Sequence, residues 1–97
     1  MELKIIASLT IREEKDTAEI VNALQAIVEA TRQEEGNISY ELHQDVANPQ
    51  TYVFLEVWKS QEAIDIHNNS SHFQAFAKAV HGKVALTVNV IKKVKVE

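Results

Sequence analysis

Leu3, Ile5, Ala7, Leu9 and Ile11 alternate with Lys4, Ser8, Thr10 and Arg12, the two-residue period of a half-buried strand. The period then changes. Ile20, Val21, Leu24, Ile27, Val28 and Thr31 follow at three- and four-residue spacing, which predicts an amphipathic helix ending near Glu34 and Gly36. Asp16, with Glu19 three residues on, fits a capping pattern at its start. Ile38, Tyr40 and Leu42 restore the strand period, and Ala47-Asn48-Pro49-Gln50 is the strongest turn signal in the chain.

The third strand, Thr51 to Lys59, is apolar on both sides: Tyr52, Phe54 and Trp58 flank Glu56 on one face, and Val53, Leu55 and Val57 make the other. Ser60 is placed to cap a short helix running to about Asn69. Ser71, with Gln74 three residues on, starts another, with Phe73, Phe76, Ala77 and Val80 as its stripe. After Gly82, Val84, Leu86, Val88 and Val90 make a last strand, with Ala85 and Ile91 on its other face. The order β-α-β-β-α-β, its second helix broken between Asn68 and Ser71, is the ferredoxin-like α+β pattern. Helices in that pattern cover one sheet face. A two-sided apolar third strand therefore predicts a homodimer packed sheet against sheet.

Ninety-seven residues make one domain, residues 1–97, without repeat or linker. No cysteine is present, which excludes disulfides, a thiolate zinc site and a cysteine nucleophile. A net charge of −4 gives no basic face for nucleic acid, and the short Lys92-Lys93-Val94-Lys95 run reads as a solvated strand end. With no basic, apolar-cored leader and no long apolar window, a soluble cytoplasmic protein with no membrane partner is expected.

The chemistry-bearing residues cluster late in the chain. His67, on the short helix after Ala63 and Ile64, is either a general base or a hydrogen-bonded core histidine. His72 follows five residues later, off the i, i+4 spacing of a helical zinc pair. With only Glu56 and His43 weighed as further ligands, no metal site is expected. Glu56, mid-strand between Phe54 and Trp58, needs compensation. It pairs with a histidine or arginine or stays partly protonated if its face meets the helices, and forms an inter-subunit ion pair if that face meets a partner. Trp58, Tyr52, Phe54, Phe73 and Phe76 line an aromatic cavity or form plain core, and Tyr40 points to the side of Ile38 and Leu42, its hydroxyl needing a partner or water if buried. Nothing matches a nicotinamide, flavin or nucleotide fingerprint.

Thr31-Arg32-Gln33-Glu34-Glu35-Gly36, Tyr40, Glu56-Val57-Trp58 and His67-x4-His72-Phe73 together resemble the antibiotic biosynthesis monooxygenase superfamily over nearly the whole chain. The resemblance implies a dimeric α+β barrel hosting several chemistries. Members similar to quinol monooxygenases oxidise small quinols, dihydroxy-aromatics or polyketides with O2 and no cofactor. On that template His67 and Glu56 are catalytic, His67 being the base or proton shuttle, and Tyr40, Trp58, His72 and Phe76 contact substrate. Haem-degrading members use an asparagine, a tryptophan and a histidine where Ser8, His67 and Ala77 stand here, which argues against haem. Members that process phosphorylated autoinducer-2 share the glutamate-ending strand and the His67–His72 spacing, so an isomerase stays open. So does a non-catalytic dimeric binding or stress-response module.

Overall fold

A computed structural model describes residues 1–96. Strand β1 (Leu3–Ile11), helix α1 (Thr17–Thr31), strands β2 (Asn37–Gln44) and β3 (Thr51–Trp58), helices α2 (Gln61–Asn68) and α3 (Ser71–Val80), and strand β4 (Val84–Ile91) follow one another along the chain. The strands form one sheet in the order β2-β3-β1-β4, every neighbouring pair antiparallel. This is the ferredoxin-like arrangement with the second helix in two pieces. No helix among the described residues is long and apolar enough to cross a membrane.

The register decides which side chains share a face. Ile5 lies beside Glu56 and Val90, Ala7 beside Phe54 and Val88, and Leu9 beside Tyr52 and Leu86. The helices pack on this side, where Leu9, Ile20, Leu24, Ile27 and Trp58 are fully or almost fully buried. Each such side chain contributes about 1.5–3 kcal/mol by leaving water. Among the described residues no helix covers the opposite face, and Ile6, Leu55 and Ile91 there remain 40%, 39% and 40% exposed. The edge strand β4 extends past the helices even on their own side, leaving Leu86, Val88 and Val90 half-exposed.

Two predicted caps are corrected. A 3-10 turn, Glu14–Asp16, precedes α1, and Asp16 has helical φ/ψ of −91° and −2° with no capping hydrogen bond from its side chain. A capping side chain reaches the free amides from an extended backbone, which Asp16 lacks. Ser60 has that backbone, and its Oγ accepts the Ala63 N–H at 3.1 Å. In α3 the cap is Ser70, one residue before the expected Ser71; its Oγ accepts the Phe73 N–H at 3.2 Å. The same hydroxyl donates to the His67 carbonyl at 2.7 Å, clasping the end of α2 to the start of α3.

Helix α1 stops at Thr31, three residues before Glu34. The chain then passes under α2 at Gly36, where a Cβ would collide with that of Ala63. Only glycine allows the approach, and the Gly36 carbonyl accepts the Lys59 N–H at 3.0 Å.

Candidate active site

A cavity of about 420 Å3 lies between the helix face of the sheet and the α2–α3 elbow, within the size range of small-molecule pockets. Ile5, Ala7 and Phe54 rise from the sheet, Phe73 and Phe76 descend from α3, and Leu86 and Val88 of β4 form a half-exposed side. Four polar residues border this apolar space: Tyr40, Glu56, His67 and Asn68.

Glu56 faces the helices, so the inter-subunit ion pair is ruled out on that face. Its compensation is instead the indole of Trp58, whose Nε1–H donates to Glu56 Oε1 at 2.9 Å. Its Oε2 has no hydrogen-bond partner among the described residues. Burial pushes the Glu56 carboxyl up to about 7; the Trp58 bond opposes the shift and the charge of Glu34 adds to it. Near neutral pH it is thus a proton-sharing group.

His67 shares the buried stripe of α2 with Ala63 and Ile64. Its Nδ1–H donates to Glu34 Oε2 at 2.6 Å. Nε2, on the other side of the ring, has no partner among the described residues, and the ring borders the cavity. Burial lowers the His67 pKa below its ordinary value, against the opposing pull of Glu34. A neutral ring with its proton held at Nδ1 presents a free lone pair at Nε2.

Tyr40 packs 5.2 Å from Phe54 and 5.8 Å from His67, measured between ring centres. Burial first, and the Glu56 charge second, push its pKa up, so it remains a phenol able to donate. Beside it, the fully buried Thr31 hydroxyl makes no hydrogen bond of good geometry among the described residues.

The sequence-predicted residues therefore separate into two shells. Tyr40, Glu56, His67 and Phe76 border the cavity. Trp58 lies behind Glu56, fully buried, and is not among the residues bordering it. His72 is also outside the lining; its Nε2–H donates to the same Glu34 oxygen at 2.8 Å. Glu34 is the residue that sequence reasoning missed. It sits within a charged run, Arg32 to Glu35, and its partners lie 33 and 38 residues away. The local signal was Gly36, which marks a close approach of this segment to another element.

The chain is a ferredoxin-like α+β domain with a histidine and a buried carboxyl on an apolar pocket, and its relatives give the family. The profile of the "Antibiotic biosynthesis monooxygenase" family matches residues 3–79, and the chain belongs to that family. It is 34% identical over 74 residues, 76% of this chain and 78% of the other, to the Bacillus subtilis protein named "Putative monooxygenase YcnE". A crystal structure described as an antibiotic biosynthesis monooxygenase superposes with a TM-score of 0.89 at 29% identity, over 96% of this chain and 99% of that one. The structure of Rv0793 from Mycobacterium tuberculosis superposes equally, at 0.89 with 25% identity, over 98% and 97% of the two chains.

Proposed function

We propose that the protein is a monooxygenase that oxidises a small quinol or other hydroxy-aromatic with O2 and without a cofactor. One observation carries the reading: His67 is tethered through Nδ1 to Glu34, while its Nε2 is unpaired among the described residues and the ring borders an apolar cavity. Nε2 takes the phenolic proton of a bound substrate. The electron-rich anion reduces O2, and a C–O bond forms at a ring carbon. The resulting hydroperoxide gives up its ring hydrogen and loses water, leaving a quinone. One oxygen atom enters the product and the other leaves as water, so the four electrons that O2 accepts all come from the substrate. Glu56 relays a proton to the departing oxygen, Tyr40 donates to the substrate anion, and Phe54, Phe73 and Phe76 hold the ring away from water.

The lining supports this reading over an isomerase of a phosphorylated substrate. No lysine or arginine is among the described residues that border the cavity, while Glu56 is. An open cavity beside His67 likewise supports an enzyme over a non-catalytic module. The half-covered strip of Ile6, Leu55 and Ile91 supports a homodimer in which a second copy covers the open sheet face.

The test is oxygen uptake by metal-stripped protein with a panel of quinols and dihydroxy-aromatics, wild type beside His67→Ala. Uptake above autoxidation that disappears in the variant supports the reading; equal uptake by both proteins sinks it.

A further inference from the structure

His67 is a partition between two spaces. On one side lies the cavity; on the other, Glu34 borders a separate surface cleft of about 370 Å3 that Glu35, Glu62 and Lys59 also line. Glu34 Oε2, His67 Nδ1 and His72 Nε2 converge behind that cleft, all within 4.8 Å of one another, and Glu34 is the one of the three that lines it. Two imidazole nitrogens and a carboxylate oxygen are a donor set for zinc or another first-row divalent ion, with remaining positions left to water.

We propose that Glu34, His67 and His72 form a binding site for such a cation, entered from the cleft. Several features favour it. All three side chains are held: Glu34 and His67 are 12% and 3% exposed, and His72 is 26% exposed. Three carboxylates against one lysine give the cleft a cation-attracting potential. Glu34 Oε1 has no hydrogen bond among the described residues and is free to turn toward an ion.

Binding requires side-chain adjustment at Glu34 and His72. The Glu34 oxygen now lies 2.6 and 2.8 Å from the two nitrogens, and a tetrahedral ion with bonds of about 2.1 Å needs donors spread to about 3.4 Å. A rotation of the glutamate side chain supplies that, and the partly exposed His72 ring swings toward His67, because the two nitrogens, within 4.8 Å of each other, must also come to about 3.4 Å. Protons balance without loss: His67 moves its proton from Nδ1 to Nε2, and His72 from Nε2 to Nδ1. A filled site thus puts a proton on the nitrogen that borders the cavity, a brake on catalysis. That consequence alone rests on reading His67 as the base.

Trp58 is the single tryptophan of the chain, and its ring centre is 4.7 Å from that of His67. Paramagnetic Co2+ in the site will therefore quench its fluorescence. Titrating the full chain should give saturable quenching at one ion per chain, reversed by EDTA and by competing Zn2+. Glu34→Gln and His72→Gln should each raise the half-saturating Co2+ by more than about tenfold. His43→Gln, at the exposed Glu41 pair, should leave it unchanged. Absence of quenching up to millimolar Co2+, or quenching that persists in His72→Gln, overturns the site. His72 is partly exposed, so that variant decides the matter even if Glu34→Gln fails to fold. Neither result depends on oxygenase activity.

Discussion

Trp58 donates its indole N–H to Glu56, two residues back on the same face of β3. The strand period alone puts the donor beside the acceptor, and it lets a carboxyl sit 6% exposed in an apolar layer. The burial still raises the Glu56 pKa to about 7 from a starting value of 4.5. The folded state therefore holds this proton more tightly than the unfolded chain. Stability from this group is fully present below about pH 4.5 and falls as pH rises to about 7, by about 3 kcal/mol at most. Glu56→Gln, which keeps an acceptor for Trp58, should flatten that decline. Urea unfolding at a series of pH values, wild type beside variant, checks it; parallel curves would reject the assignment.

His67→Asn should lower turnover by about 10²–10⁴-fold, the range of a lost general base, while leaving the helix and its packing in place. Glu34→Gln should lower it less, because the base remains but its tautomer is no longer imposed by a carboxylate. Steady-state oxygen uptake ranks the two, and an inverted order would separate Glu34 from the function of His67.

Gly36→Ala should destabilise by about 1–3 kcal/mol, since the new methyl must push Ala63 and with it α2. Thermal unfolding reads the loss. Because α2 carries His67, activity at low temperature should also drop, which a purely global destabilisation would not cause.

The caps differ in a way that unfolding can measure. Ser60→Ala and Ser70→Ala should each cost about 1 kcal/mol, whereas Asp16→Ala should be near neutral because its side chain caps nothing. The contrast also explains what the sequence could and could not convey. Helix α1 and strand β1 were readable because each buries one face, and periodicity records a face; in β2 the register shifts between Asn37 and Ser39, so Tyr40 is buried while Ile38, expected on the same face, is 51% exposed. The Asp16–Glu19 spacing matched a cap equally well, but backbone dihedrals, not spacing, decide whether an oxygen reaches an amide. The pair Glu56–His67 was visible as polar residues in apolar company. Glu34 was not, because a carboxylate among other charges looks solvated until its distant partners are placed beside it. Trp58, expected at the pocket wall, could not be assigned to its outer position because alternation fixes the face of a side chain and not its depth.

Replacing Leu55 with glutamate should convert a dimer to a monomer in sedimentation equilibrium without changing the fold of the chain, since Leu55 lies on the face without helices. A variant that sediments as the wild type does would reject the open face as the contact.

Ser70 holds the carbonyl of His67, and Glu34 holds its ring, from opposite directions in sequence. The first contact spans three residues and forms as soon as the elbow forms; the second waits for a chain segment 33 residues upstream to dock. A refolding chain will therefore regain helical signal before the imidazole is oriented, because orientation waits on the closing of a long loop. Local order in this protein is not a measure of readiness: the decisive tether is a long-range one.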